Sequence, residues 1–471
     1  MMVGLASFLV GLGVGKVLPI MSFAWVLISL LFLAASVKKM KSIVIVASVL
    51  FGFTFGCWRG AQFIQQIGPY QELYGLEVLL QATAASDGTY QDGQLTFDVG
   101  QVEFVQPRPM ALPGTVKVQA LGMTAVNRSD RLEVKGKLYP TGGSRQGKIS
   151  YASGRVLQRS NSWVETLRRK FVAGMQTALP EPHASFGLGI LIGQRNTLPE
   201  DTREQLSIVG LTHIIAVSGY NLTIIIDFVR QKLGKGSKYQ TLVFSLLLIG
   251  GFLLITGFSA SIVRAAIVSS LSLGAWYYGR KFRPLLILLL SGALTAGWYP
   301  VYIWSDIGWY LSFLAFFGVL IVAPLLTKRF WKKQPWGIMP IIIESGCAQI
   351  MTAPLVMYIF KEASLIALPS NMLIVPLVPF AMSFVFIAGL GGMLASRIAG
   401  WIAWPAYLLL SYILEIVELL SRVPRALIKL PLPFGLMIIF YALIVALCWL
   451  LWVKTKPKYA TVTDEISEFE K

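Results

Sequence analysis

Long apolar stretches recur along most of the chain, and short polar segments separate them. A helix that crosses a bilayer needs roughly 20 predominantly apolar residues. Twelve stretches come near this length: 2–19, 20–36, 42–59, 206–229, 239–257, 261–279, 284–299, 307–326, 338–360, 366–394, 398–420 and 434–453. The first has no basic segment before it and no small-residue cleavage site after it, so we expect no cleaved signal peptide. The pattern predicts a polytopic α-helical membrane protein.

The charge distribution supports this interpretation and orients the helices. Only 14% of the 471 residues are charged, whereas a soluble chain has about 25%. The net charge is +18, from 41 Lys and Arg against 23 Asp and Glu. The bases cluster after alternate stretches: Lys38/Lys39/Lys41, Arg230/Lys232/Lys235/Lys238, Arg280/Lys281/Arg283, Lys328/Arg329/Lys332/Lys333, Arg397 and Lys454/Lys456/Lys458. Basic loops face the cytoplasm, so about twelve crossings are expected, with both termini cytoplasmic.

Residues 65–160 form a long polar insert that this topology places outside the membrane. Apolar and polar residues alternate in five short runs, which is typical of half-buried strands: 76–80, 95–99, 102–104, 116–118 and 132–134. The alternation slips at Gly100–Gln101, which indicates a β-bulge or a strand break. So many short strands in so short an insert favour a small all-β Greek-key barrel, such as an OB-like fold.

Charge within the insert is lopsided. Residues 106–160 carry ten Lys or Arg against Asp130 and Glu133, whereas residues 65–105 carry six acids and no base. One interpretation is a groove that binds the backbone of single-stranded DNA, and the other is an ordinary solvated face. The candidate DNA contacts are Lys117, Arg128, Arg131, Lys135 and Lys137. Candidates for base stacking, or equally for the core, are Phe97, Phe104 and Tyr139.

The segment 161–182 predicts an amphipathic interfacial helix. Trp163, Leu167, Phe171 and Met175 recur every four residues beside a basic run. Such a helix either lies at the membrane surface or packs against the barrel, and the pattern leaves both open.

Residues 184–229 place polar groups inside an apolar region. The apolar piece 184–193 is too short to span a bilayer, a polar turn follows over 194–204, and the next apolar stretch contains GLTHIIAVSGYN. This pattern indicates a re-entrant half-helix that leads into a broken span. Irregular backbone is tolerated at membrane depth only where it lines a cavity or is buried in protein. The residues that either line such a cavity or pack helices together are His213, Ser218, Gly219 and Asn221.

A series of motifs in this chain occurs in the order found in one known family. They are SDRLEVKGKLYP (129–140), LGILIGQRNTLP (188–199), GLTHIIAVSGYN (210–221), GFSASIVRAAIV (257–268), DIGWYLSFLAFFGV (306–319), AQIMTAPLVMYIF (348–360) and SNMLIVPLVPF (370–380). They resemble motifs of the ComEC-type bacterial competence proteins, over roughly residues 20–450. The resemblance implies a DNA-uptake channel of the bacterial cytoplasmic membrane with an OB-like domain outside.

The chain departs from that family at informative positions. We call the motif GLTHIIAVSGYN (210–221) the signature segment, and Asn221 stands where the family has a second His in it. Asparagine keeps the hydrogen bonding of that His but not a proton-relay role. Tyr310 stands where the family has Gln. Many members also carry a metallo-β-lactamase-like domain, whose binuclear site the two histidines of this chain, His183 and His213, are not expected to build. No phosphate-binding ATPase motif occurs. We therefore expect no enzymatic activity, catalytic residue, cofactor or metal ion in this chain.

Ionisable and amide groups inside the predicted spans are further site candidates, because burying them in a membrane is costly. Arg264 is either a phosphate contact in the pore or a residue that reaches the interface. Gln349 lies in one span, and Asn371 with Pro376 is expected to break another, which would expose backbone groups to a cavity. Asp306 is expected to cap the span that begins near Gly308.

The leading hypothesis is a channel that passes single-stranded DNA across the cytoplasmic membrane during natural transformation. Expected partners are single-stranded DNA, membrane lipid, a separate DNA receptor, a nuclease, a cytoplasmic motor ATPase and a second copy of the chain. Two alternatives stay open: a secondary transporter of a small anionic solute, disfavoured by the lack of an internal repeat, and an intramembrane enzyme that uses His213 and Ser218. The predicted domains are 1–64 (transmembrane), 65–160 (OB-like), 161–182 (interfacial helix), 183–453 (channel) and 454–471 (cytoplasmic tail).

Overall fold

The structure, a computed structural model, consists mainly of apolar helices, and a small β region follows the first of them. The structure describes residues 1–18, 22–36, 41–91, 94–123, 125–194, 197–215, 222, 237–257, 260–279, 283–331 and 339–455. The chain divides into two compact units. The first comprises Met1–Leu167 and Leu289–Trp309, and the second comprises Arg168–Leu288 and Tyr310–Lys471.

Seven helices among the described residues are long and apolar enough to cross a membrane: Lys41–Leu73, Lys238–Thr256, Ile307–Phe330, Met339–Phe360, Ala367–Leu394, Ser396–Ser421 and Phe434–Lys454. They coincide with seven of the twelve predicted spans. Four other predicted spans correspond to shorter helices, and the span predicted over 206–229 lies largely outside the described residues. The chain is therefore a multi-pass membrane protein.

Glycine allows the first unit's helices to touch backbone to backbone. The helices are α1 (Met2–Val14), α2 (Phe23–Ser36), α3 (Lys41–Ile67) and α4 (Pro69–Leu73). Gly52, Gly56 and Gly60 repeat every fourth residue on α3 and face α1, where Gly11 lies against the Phe53 carbonyl. An added Cβ at Gly56 would overlap the Phe8 carbonyl. Small residues at this spacing let membrane helices approach closely.

We expect Gly56→Ala to lower the free energy of unfolding by about 1–3 kcal/mol, because the added methyl group forces the two helices apart. Gly13→Ala on α1 is the matched control, since nothing lies within 4 Å of a Cβ there. Thermal unfolding of the two purified variants in the same detergent makes the comparison. Equal melting temperatures would contradict the close packing of α1 on α3.

The β region forms one seven-stranded sheet: β1 (Glu77–Ala84), β2 (Thr89–Gln91), β3 (Gln94–Gln106), β4 (Met110–Leu112), β5 (Val116–Ala120), β6 (Arg131–Tyr139) and β7 (Gly147–Gln158). β1 pairs with β6, β6 with β7, β7 with β5, β5 with β3, and β3 again with β1. Only the β5–β7 pair is parallel. Followed from strand to strand, these pairings return to their starting point.

Inward residues of the strands form the core of this sheet. Every second residue of β1, and of β3 up to Val99, is buried, as the alternation predicts, and Phe97 and Phe104 are both core residues. Gln101 has a left-handed φ of 50°, and the β1–β3 register shifts beside it. The predicted bulge is thereby confirmed.

A buried glutamine ties the sheet to the loop that follows α10 (Pro284–Trp298), in the same unit. The Gln146 Oε1 atom accepts hydrogen bonds from the Thr115 N–H at 2.7 Å and from the Tyr299 hydroxyl at 2.9 Å. Ser305, the last residue of α11 (Val301–Ser305), donates to the Gly143 carbonyl at 2.6 Å.

The second unit contains the remaining described helices. They are α5 (Trp163–Ala178), α6 (His183–Ile192), α7 (Glu200–Ile208), α8 (Lys238–Thr256), α9 (Ala260–Tyr277), α12 (Ile307–Phe317), α13 (Ala323–Phe330), α14 (Met339–Phe360), α15 (Ala367–Ile374), α16 (Val378–Leu394), α17 (Ala399–Ser421) and α18 (Phe434–Thr455). The boundary between the units falls inside two of them, α5 and α12. A π-helical turn, Gly318–Val322, joins α12 to α13. The expected cap at Asp306 is present, because its Oδ1 accepts from the Trp309 N–H at 2.8 Å.

Helix α5 forms as predicted, and the second half of its apolar face is buried inside the second unit, whereas Trp163 and Leu167 of the first half are exposed. Phe171 and Met175 belong to the core of that unit, and the Phe171 ring lies 6.1 Å from that of Phe386 on α16. Gly174 and Gly392 bring the two backbones into contact. The second half of α5 therefore packs against a helix, which neither sequence interpretation anticipated.

Two loops of the second unit pair as a short antiparallel sheet. β8 (Glu362–Ser364) follows α14, and β9 (Leu427–Lys429) follows α17. The Leu365 N–H donates to the Ala426 carbonyl, and the Leu430 N–H donates to the Lys361 carbonyl, both at 2.9 Å. The segment between α17 and α18 thus supplies one strand of this pair.

Candidate functional site

The short helix α6 is the most deeply buried element of the second unit. All nine residues from Ala184 to Ile192 are buried, and Gly193, at a left-handed φ of 74°, ends the helix. Gly187 lies against Val385 of α16 and Leu410 of α17. The predicted half-helix is therefore present, enclosed by other helices, which is where a broken span is tolerated.

The signature segment begins with a turn rather than with a continuous helix. α7 starts at Glu200, inside the predicted polar turn, and ends at Ile208, while Gly210 adopts a left-handed φ of 74°. The span predicted from residue 206 is therefore broken, as expected, between Ile208 and Ile215. Gly210 is in close contact with Ala367 of α15, so a side chain there would collide with it. Ile215 packs against Gly189 of α6.

Of the predicted signature residues, the structure describes His213, whose Nδ1 lies 3.2 Å from the Gly210 carbonyl oxygen. Ser218, Gly219 and Asn221 lie outside the described residues. The signature thus enters the unit between α6 and α15, through its first six residues.

Asn371 lies one helical turn beyond Ala367, on the same face of α15. Its side chain is 9% exposed, and its Oδ1 has no hydrogen-bond partner among the residues that the structure describes. The neighbouring Ser370 donates to the Ile366 carbonyl at 2.7 Å. A buried amide oxygen without a partner costs about 1–3 kcal/mol, so it needs a functional explanation. The predicted break follows at once, because α15 ends at Ile374 and a 3₁₀ turn precedes α16.

Arg264 and Gln349 are on other helices, α9 and α14, and lie apart from the cluster formed by Gly210, His213 and Asn371. Arg264 of α9 is 1% exposed, and its guanidinium carbon lies 5.9 Å from the ring centroid of Phe313 on α12. It is therefore held inside the unit and does not reach an interface. Gln349 is half-buried on α14.

Sequence reasoning missed a half-buried polar contact between α6 and α17. The His183 Nε2 lies 2.9 Å from the Ser411 Oγ, and the imidazole lies 4.7 Å from the Tyr407 ring. A histidine at the start of an apolar piece was the available signal.

On the sheet of the first unit, the acids and bases that were far apart in sequence meet across strands. Asp98 accepts both Nε and Nη2 of Arg145, at 2.6 and 2.8 Å, which raises the pKa of Arg145. Five further pairs include three of the five predicted DNA contacts, one of them paired with Glu165 of α5: Arg128–Glu165, Arg131–Glu103, Lys135–Glu77, Arg155–Glu133 and Arg159–Asp130. The lopsided charge of the sequence is therefore largely compensated on the folded surface.

Three lysines of the sheet make no ion pair among the described residues: Lys117, Lys137 and Lys148. Lys117 of β5 is directly opposite Lys148 of β7, which is in turn opposite Tyr139 of β6. Lys137 lies two residues before Tyr139 on the same outward face. The geometry brings these four side chains together, and Lys148 is the member that sequence reasoning missed.

Comparisons with known proteins agree with the motifs. The sequence model of the Competence protein family matches residues 190–455, which is more than half of the chain. The chain is also similar to ComE operon protein 3 of Bacillus subtilis (strain 168), with 22% identity over 311 residues, or 64% of this chain and 39% of that protein. It thus spans about two fifths of the length of this curated relative. No solved structure matches the chain.

Proposed function

Since the chain belongs to the Competence protein family, we propose that it serves DNA uptake in natural transformation, as a channel that passes single-stranded DNA across the cytoplasmic membrane. Family membership is the observation that carries this proposal. The seven apolar helices and the net charge of +18 are compatible with a membrane path for a polyanion.

We propose that the sheet is an OB-like barrel outside the membrane that receives the strand. Its support is the closed cycle of five strands, β1–β6–β7–β5–β3, with one parallel pair. Such folds bind single strands through backbone charge and base stacking rather than through sequence readout. Of the five predicted contacts, Lys117 and Lys137 are the ones left without an acid.

We propose that the cluster where the signature enters the second unit is part of the DNA path. Asn371 contributes an amide oxygen without a hydrogen-bond partner among the described residues, and His213 lies at the entrance turn. Arg264, which lies apart from this cluster, is proposed to provide a buried charge for a phosphate further along the path. Gln349 and the signature residues Ser218, Gly219 and Asn221 remain candidates for the same lining.

We propose both termini to be cytoplasmic, as the basic loops favour. This topology puts the loops 361–365 and 422–433 on the outer side together, which agrees with the pairing of β8 with β9. The proposal assigns strand degradation to a separate nuclease and force to a cytoplasmic ATPase. A separate DNA receptor and a second copy of the chain complete the proposed partners.

The test is DNA uptake by a deletion strain of the source organism. The intact chain is expected to restore entry of labelled DNA into a nuclease-protected compartment, whereas His213→Ala restores much less at an equal protein level. Cysteines placed at 218 or 221, in a background without Cys57, Cys347 and Cys448, should react with a water-soluble thiol reagent. Normal DNA uptake by the deletion strain would contradict the proposed function.

A further inference from the structure

One strand of the sheet carries a backbone distortion beside the unpaired lysines. Tyr151 of β7 has a left-handed φ of 54°, a conformation that a residue with a Cβ adopts unfavourably. The register of β7 shifts against β5, where Val118 faces Ile149 and Ala120 faces Ala152. It also shifts against β6, where Lys137 faces Ser150 and Lys135 faces Ser153. Gln119 is thus opposite two residues, Ser150 and Tyr151, which is the geometry of a β-bulge.

The bulge turns an aromatic ring outward. Ile149 and Ala152 are both buried, so Ser150 and Tyr151 between them both point away from the core. Tyr151 is 72% exposed. A regular strand would have directed one of these two side chains inward. Bulges commonly re-aim a side chain next to a functional site.

The ring stands beside the lysine cluster. Ser150, its neighbour, is opposite Lys137, while Lys148, three residues before Tyr151, is opposite both Lys117 and Tyr139. Directly opposite residues are about 5 Å apart and diagonal ones about 7–8 Å. Asp98, which is opposite Lys117, binds Arg145 through both of its oxygens, and Glu77, which is opposite Lys137, pairs with Lys135. The lysine charges therefore stay available to a ligand.

We infer that Lys117, Lys137 and Lys148 bind consecutive phosphates of single-stranded nucleic acid while Tyr151 stacks on a base, with Tyr139 as a second platform. The inference rests on the proposed function and assigns the strand to one face of the sheet, across β5, β7 and β6. Ammonium groups that make no ion pair among the described residues, together with exposed rings, are the combination that sequence-tolerant single-strand binding uses. The Lys137 Nζ already lies 5.8 Å from the centroid of the Tyr139 ring. The strained conformation persists because it presents the ring.

The stacking role is tested with Tyr151→Gly in the full-length chain, in nanodiscs of neutral phosphatidylcholine. Glycine removes the ring but suits the backbone, so the melting temperature should stay the same or rise. Affinity for a labelled oligodeoxythymidine should fall about tenfold, and Tyr151→Trp should restore it. Tyr90→Ala, at another exposed tyrosine of the sheet, is the control and should leave affinity unchanged.

An abasic strand of equal length separates the ring from the charges. It should bind the unsubstituted chain and Tyr151→Gly equally, because it offers no base to stack. The double variant Lys117→Gln/Lys148→Gln should bind both oligonucleotides more weakly. The slope of the logarithm of affinity against the logarithm of salt concentration should fall by about 0.7 per lysine. Arg108→Gln, outside the cluster, should change neither the affinity nor the slope.

Equal affinity of Tyr151→Gly and the unsubstituted chain for oligodeoxythymidine would overturn the stacking role. An unchanged salt slope in the double lysine variant would overturn the assignment of this face, and the proposed function would stand. If the unsubstituted chain binds no single strand at all, the inference and the receiving role of the sheet both fail. Restoration of DNA uptake would then still test the channel separately.

Discussion

Asn371→Leu should reduce DNA uptake at least tenfold while leaving the amount of protein in the membrane unchanged. Leucine removes an amide oxygen that has no hydrogen-bond partner among the described residues, so the helix loses no bond. Replacing an unsatisfied buried polar group by an apolar one of similar size is neutral or stabilising. If that oxygen faces the DNA path, transport falls although stability does not. Uptake of labelled DNA, divided by the membrane level of the protein, measures the effect.

Ser370→Ala is the matched control, one residue earlier on the same helix. The Ser370 hydroxyl is fully buried, and its single donor hydrogen is already bonded to the Ile366 carbonyl, so it has no donor left for a phosphate or a base. We expect its loss to change uptake less than twofold at an equal protein level. Similar uptake defects in the two variants, or a defect of Asn371→Leu that only follows protein level, would show that α15 contributes packing alone.

Gln146→Leu should lower the free energy of unfolding of the protein by about 1–3 kcal/mol, because it leaves one half-buried donor without a partner and removes the shorter of two acceptors from another. The Thr115 N–H loses its 2.7 Å partner, and the Tyr299 hydroxyl keeps only the Ser144 carbonyl, at 3.2 Å. Gln146 is 6% exposed, so water cannot replace the lost bonds. Thermal unfolding of the purified chain in detergent should show the loss as a lower melting temperature.

Gln119→Leu is the comparison for that variant. Gln119 is half-buried on β5, and its one bond, to the Ser150 hydroxyl, is long at 3.5 Å. We expect a change of less than about 0.5 kcal/mol, as for other surface substitutions. The loss of unfolding free energy in Tyr299→Phe should lie between those of Gln146→Leu and Gln119→Leu. An unaltered melting temperature in Gln146→Leu would mean that the sheet does not depend on the loop after α10.

The apolar pattern predicted the helices well because burial in lipid needs length and composition alone. The stretches 366–394 and 398–420 became Ala367–Leu394 and Ser396–Ser421 within two residues at each end. The break after Asn371 was also predictable, since Pro376 cannot continue a helix. By contrast, the turn at Gly210 depends on the close contact with Ala367, which is more than 150 residues away and leaves no local signal.

The strands were predicted where alternation is regular and missed where it is not. β7 is one of the two longest strands, yet Ile149 and Ala152 are three residues apart, so the bulge at Tyr151 hides the period of two. The predicted DNA contacts fared unevenly for a related reason. The distribution of charge along the sequence does not show which acids and bases meet across the sheet. Asp98 is opposite Lys117, but it pairs with Arg145, which leaves Lys117 without an ion pair among the described residues.

The pairing of β8 with β9 constrains how the second unit can move. Backbone bonds join the segment after α14 to the segment after α17, so these helix ends cannot separate without breaking a row of hydrogen bonds. They act as a fixed frame at that end of the unit. Gly210 rests on this frame, against Ser364 and Ala367. Gly210 can therefore move away from Ala367 without loss of these backbone hydrogen bonds, because it contributes none of them.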